Sequence, residues 1–213
     1  MINNLFNNLP LFIMRIPVLL IALTIHEVSH GFIAYKLGDY TAKIMGRLSL
    51  NPLKHLDPFG AIMMLVVGFG WAKPVPVDVR NFKKPKRDMA LSALAGPVSN
   101  ILLGFIGVFI WMLTFNIRSD STMVSALKMF LEIFFSLNIG LAVFNMIPIP
   151  PLDGSRIFLQ FLPEKIYFGI MRYERYMIIV LFALIFMNVL PISWLMQRVI
   201  YGMVYVLSYL PFF

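Results

Sequence analysis

Three ionisable side chains, His26, Glu27 and His30, stand in the stretch "ALTIHEVSHGFIAYKLGD" (residues 22–39), which is otherwise as apolar as a membrane span until Lys36. On a helix the i, i+4 spacing sets both imidazoles on one face, one turn apart. That is the separation two ligands of a single tetrahedral metal need, while Glu27 is turned about 100° round the axis. The His-Glu-x-x-His pattern belongs to zinc chemistry. A third protein ligand completes the set, a fourth position stays open for water whose pKa the metal lowers, and the glutamate takes that water's proton as it attacks a carbonyl. Depth adds weight to the pattern. Ionisable groups inside a membrane are costly unless paired, ligated or wetted, so three together mark a functional site. With Lys36 at the interface, His26 and His30 lie about 15 and 9 Å inside it along the helix.

The third ligand follows by elimination. Apart from Glu27, the carboxylates in or beside apolar runs are Glu132 and Asp153. Glu132 comes four residues after Lys128 at a helix entry, so an i, i+4 ion pair near the outer interface is expected there. Asp153 follows "NMIPIPP", where Pro148, Pro150 and Pro151 must break a helix. Unwound backbone at membrane depth is tolerated only where it is buried or lines a cavity. The expected site is therefore one Zn2+ held by His26, His30 and Asp153, with Glu27 as general base. Asn145, eight residues before Asp153 on the same span, and Asn100, in "AGPVSN", are candidate donors to the oxyanion of a tetrahedral intermediate, a helix-to-helix hydrogen bond being the alternative for Asn145. His55, between Lys54 and Asp57 in a turn-rich loop, reads as structural or lid-related.

The elements that must position these groups are membrane helices. The chain has 213 residues, 60% hydrophobic and only 13% charged, with a mean hydropathy of +0.82, outside the range of soluble domains. The expected fold is an all-α polytopic membrane protein in one domain. A three-helix zinc-binding core carries a small β or re-entrant hairpin at the cytoplasmic face and at least one further C-terminal membrane helix. Spans are expected at about 9–36, 89–117, 129–147 and 176–197; residues 199–213 either cross again or lie at the interface. The apolar run 61–72 is too short to cross, since its length as a helix is roughly 18 Å against about 30 Å of hydrocarbon. A re-entrant element over 59–72, with Gly60, Gly68 and Gly70, is expected instead. "KIMGRLSL" suggests a small strand pair at the membrane face, whose edge could hold an unwound substrate by β-addition. No cleavable signal peptide is evident, so the first run stays as a helix. The lack of cysteine excludes disulfides and thiolate ligands.

Charge sets the orientation. Ten of the 18 basic residues fall in 36–88 and four more in 153–175, which places both segments inside. The net charge of +8 is then a membrane feature and not a nucleic-acid one, with Lys73, Arg80, Lys83, Lys84, Lys86 and Arg87 meeting anionic lipid headgroups. Two crossings separate His30 from Asp153, so both lie in one leaflet provided that 61–72 does not cross.

Taken in order, "HEVSH", "GRLSLNPLKHLDPFG", "GWAKPVPV", "AGPVSN" and "NMIPIPPLDG" resemble the site-2 protease family of intramembrane zinc metalloproteases, in the form of its small prokaryotic members. The resemblance covers residues 20–157. It implies a three-helix core around zinc bound by His26, His30 and Asp153, Glu27 as the base, a plasma-membrane location and cleavage of transmembrane segments of other proteins. Larger members carry a PDZ domain and a span before the zinc-binding helix; neither is expected here, so no dedicated soluble domain would select the substrate. Two other classes stand beside this reading: a non-catalytic relative that binds membrane proteins, which has no use for Glu27, and a metal transporter, which would need polar residues along a whole pathway.

Overall fold

A computed structural model describes residues 9–60, 73–117 and 121–211. The described chain is helical: α1 (Leu9–Lys36), α2 (Thr41–Ile44), α3 (Pro85–Leu113), α4 (Thr122–Asn145), α5 (Asp153–Leu159), α6 (Glu164–Arg172), α7 (Glu174–Phe186) and α8 (Ile192–Leu207). Three of these, α1, α3 and α4, are long and apolar enough to cross a membrane, which makes the chain a multi-pass membrane protein.

Local chemistry sets the helix ends. α1 stops where Gly38, at φ +107°, lets Asp39 N–H bond back to Ala34 C=O at 2.9 Å. α3 begins at Pro85, four residues before the expected boundary, because Asp88 caps it by accepting the Lys84 N–H at 2.9 Å. Apolarity alone could not show that turn, since it is charged. Ser121 caps α4 through the Met123 N–H at 3.3 Å.

α3 is the central element, packed against both α1 and α4. Gly104 and Gly107 bring α4 close, since a Cβ on Gly104 would stand 2.6 Å from Ile139 Cγ1 and one on Gly107 2.9 Å from Phe134 Cδ1. Val108, Met112, Phe135, Ile139 and Val143 continue this core, and Met203 and Leu207 of α8 close it.

Three expectations need correction. No strand forms among the described residues: "KIMGRLSL" begins with the last two residues of α2, which Gly46 closes at φ +63° with Arg47 N–H on Ala42 C=O at 2.8 Å, and residues 47–49 have no regular secondary structure. A left-handed glycine cap satisfies the backbone locally and leaves no strand to pair. The single span expected over 176–197 is two helices, because Asn188 takes a left-handed φ of +53° and Pro191 cannot continue a helix. Their 13 and 16 residues are each short of a full crossing. Glu132 does not pair with Lys128 among the described residues; it accepts from Trp111 Nε1 at 3.1 Å, while Lys128 Nζ sits 5.8 Å from the Phe115 ring centroid. The re-entrant run 61–72 lies outside the described residues.

Candidate metal centre

α1 supplies two of the converging groups and α5 the third. After α4 ends at Asn145, the prolines prevent a further turn, and α5 starts at Asp153. Gly154 seats that start: a Cβ there would collide with the Met146 carbonyl and lie 2.6 Å from Ile147 O. Asp153 Oδ2 consequently lies 3.2 Å from His26 Nε2 and 3.3 Å from His30 Nε2. The side chains of His26, His30 and Asp153 are 6%, 13% and 17% exposed, and the imidazoles meet edge to face with centroids 4.5 Å apart.

α3 fixes how the imidazoles point. Asn100 donates from Nδ2 to Ala22 O at 3.2 Å and to Asn138 Oδ1 at 2.9 Å, so its Oδ1, 2.6 Å from His26 Nδ1, is the acceptor of that imidazole's N–H. His30 Nδ1 donates to Ser92 C=O at 2.8 Å, and the Ser92 hydroxyl returns a hydrogen bond to His30 C=O at 3.0 Å. With Nδ1 donating, each ring in its neutral form turns a lone pair at Nε2 towards a carboxylate oxygen. Asp153 Oδ2 is buried and has no hydrogen-bond donor among the described residues. Three electron-pair donors within 4.8 Å of one another repel unless a cation lies among them. Two ligands each about 2.0–2.1 Å from a tetrahedral zinc are about 3.3 Å apart, which matches the carboxylate-to-imidazole edges.

Glu27, half-buried on the neighbouring face of α1, accepts from Val75 N–H through Oε2 at 2.8 Å. The structure thus brings together His26, His30 and Asp153, with Glu27 beside them. Asn100 joins the site in a different capacity from the expected one: both its N–H bonds are committed, which leaves none for an oxyanion, and it orients His26 instead. Asn145 donates to Leu141 C=O of its own helix at 3.0 Å, and no hydrogen bond joins it to the three among the described residues. His55 is buried, and its Nε2 donates to Ser49 C=O at 2.7 Å.

Ser92, Gly96, Val75 and Asn138 escaped sequence reasoning. Ser92, Gly96 and Asn100 recur every four residues, a small and polar stripe on α3 that answers the His26–His30 pair on α1. A Cβ on Gly96 would clash with the His30 ring and stand 2.6 Å from His26 Cε1, so the gap in the stripe is where the imidazoles fit. Asn138, wholly buried and seven residues before Asn145, was legible as an amide inside an apolar run.

Fold and site together define a polytopic membrane protein with a buried two-histidine, one-carboxylate cluster at the end of an apolar helix. The profile of "Peptidase family M50" matches residues 112–187. "Putative zinc metalloprotease YwhC" of Bacillus subtilis is 46% identical over 168 residues, 78% of this chain and 77% of the relative. A Methanocaldococcus jannaschii protein, "Putative zinc metalloprotease MJ0611", is 34% identical over 62% of each chain. "Putative zinc metalloprotease Rip2" of Mycobacterium tuberculosis is 30% identical over 67% of this chain and 55% of its own length. No solved structure matches. The chain belongs to peptidase family M50, the site-2 protease family that its motifs resemble.

Proposed function

We propose that this chain is an intramembrane zinc endopeptidase that hydrolyses peptide bonds in or near transmembrane segments of other proteins. The observation that carries the reading is the meeting of Asp153 Oδ2 with both imidazole Nε2 atoms at 3.2 and 3.3 Å, from segments more than 120 residues apart in sequence. His26, His30 and Asp153 hold the zinc, which supplies Lewis-acid polarisation of a carbonyl and acidification of water. Glu27 is not a ligand in this scheme. Its carboxylate takes the proton of the attacking water and later returns it to the leaving amine nitrogen. A substrate helix must unwind first, because its amides are hydrogen-bonded internally.

The site faces the cytoplasmic side of the plasma membrane, in keeping with the concentration of Lys and Arg in 36–88 and 153–175. Supporting this topology, the segments flanking 61–72 meet: Lys73 N–H donates to His55 C=O at 2.9 Å. Anionic headgroups are met chiefly by exposed Lys73, Lys83 and Lys84, since Arg80 is engaged by Asp78 at 2.6 Å and Arg87 by Asp88 at 2.7 Å. The test pairs zinc content with cleavage of quenched-fluorescent single-span peptides in detergent. Glu27→Gln should keep about one zinc per chain and lose hydrolysis, whereas His26→Ala should lose both. Full hydrolysis by the first variant would contradict the mechanism, and full zinc in the second would contradict the site.

A further inference from the structure

Lys73–Asp78 has no regular secondary structure, yet it is tied down at both ends and in the middle. At one end the Arg47 guanidinium, 9% exposed, donates from Nη2 to Lys73 C=O at 2.7 Å and Pro74 C=O at 3.2 Å. At the other, wholly buried Asp39 accepts the Asp78 N–H through Oδ2 at 2.8 Å. Its Oδ1 takes Asn81 Nδ2 at 2.8 Å and the Thr41 N–H at 3.0 Å. Between these anchors Val75 N–H reaches Glu27 Oε2 at 2.8 Å. The Val75 side chain lies over Gly31, where a Cβ would stand 2.8 Å from its Cγ1. Gly31 is one turn beyond Glu27 on the same face of α1, so one bare patch of helix receives Val75 and one carboxylate receives its amide. Pro74 and Pro76 have no N–H, which makes Val75 the sole backbone donor between Lys73 and Val77.

We infer that Arg47 and Asp39 are positioning residues for Glu27, acting through the segment they clamp. An unrestrained glutamate side chain samples many rotamers. The Val75 hydrogen bond holds Oε2 and leaves Oε1 as the oxygen that receives the proton from water. Arg47 suits the task because its guanidinium stays charged and one nitrogen reaches two adjacent carbonyls. The inference rests on the reading of Glu27 as general base, and it gives the pairing of "GRLSL" with "KPVPV" in this chain a catalytic purpose beyond packing.

The sequence offers a direct probe, because Pro–Val occurs four times, at Val18, Val75, Val77 and Val98. Carbonyl-labelled proline with nitrogen-labelled valine therefore yields four amide signals in detergent micelles, and the Val75→Pro variant identifies its own by deleting it. In Arg47→Met the Val75 amide should exchange with solvent about tenfold faster or more, while the helical Val18 and Val98 amides stay protected. Val75→Pro should keep zinc and KM and lower kcat about 10- to 100-fold on a single-span peptide. Unchanged Val75 exchange in Arg47→Met, or faster exchange at Val18 and Val98 as well, would overturn the clamp. Unchanged kcat in Val75→Pro would overturn its catalytic purpose. Full hydrolysis by Glu27→Gln would remove the base while leaving the exchange result standing, so the two failures are distinguishable.

Discussion

Replacing Gly96 by alanine adds one methyl group at the point where α3 meets the two imidazoles. The new Cβ would overlap the His30 ring and stand 2.6 Å from His26 Cε1. Ordinary carbon contacts begin near 3.5 Å, so a displacement of about 0.9 Å is needed. Neither ring can give way freely. His26 Nδ1 is held by Asn100 and His30 Nδ1 by Ser92, and their Nε2 atoms must remain within about 0.2 Å of zinc-ligand distance. Overpacking of this kind costs about 1–3 kcal/mol. Because the strain is relieved by moving the ligands, it should emerge as zinc affinity weakened by about 10- to 100-fold. The assay is zinc retained after dialysis against graded chelator concentrations. Gly104→Ala is the control, since it crowds Ile139 Cγ1 to the same 2.6 Å two turns away and should lower thermal stability without loosening zinc. Native zinc retention by Gly96→Ala, or equal losses in the two variants, would refute the reasoning.

Asn138→Leu removes the acceptor that fixes the Asn100 amide; zinc affinity should fall about tenfold, measured by chelator competition, with Asn100→Leu losing at least as much. Burial raises the Asp39 carboxyl pKa, but the hydrogen bonds from Thr41, Asn81 and Asp78 outweigh it and hold the group below its usual value. Its contribution to stability is therefore complete above about pH 4 and is lost as pH falls through the lower folded-state pKa. The stability advantage of the native chain over Asp39→Asn should shrink on acidification in melting curves, and a gap independent of pH would contradict this. For topology, single cysteines at exposed Lys43, Lys84 and Lys165 should react with an impermeant thiol reagent only from the cytoplasmic side, and one at Thr122 only from the other. Labelling of Lys43 and Lys84 from opposite faces would strand Asp153 from the histidines.

The features legible in the sequence were those with a periodic or prohibitive signature. The i, i+4 histidines, the proline break before Asp153 and the long apolar runs of α1, α3 and α4 each follow from a rule about one segment. What was not legible depends on partners distant in sequence. Gly96 looks like any small residue until the His26 and His30 rings are set beside it. Asn100 could serve an oxyanion or a histidine equally well until Ala22 and Asn138 take its N–H bonds. The strand expected at "KIMGRLSL" failed because β propensity is weaker than a local glycine cap at Gly46. The C-terminal span failed because the expectation ran through Pro191, and the left-handed turn at Asn188 before it breaks the apolar run into two helices.

The central claim is that one zinc is shared by groups from α1 and α5, and the absence of cysteine allows it to be tested at the metal itself. X-ray absorption at the zinc edge of the native protein should show imidazole nitrogen and oxygen at about 2.0–2.1 Å and no sulfur. In Asp153→Cys a single sulfur at about 2.3 Å should replace one oxygen, because a thiolate at that position would be ligated directly. Zinc retained in Asp153→Cys without a sulfur neighbour, or a sulfur neighbour appearing instead in Glu132→Cys, would contradict the assignment.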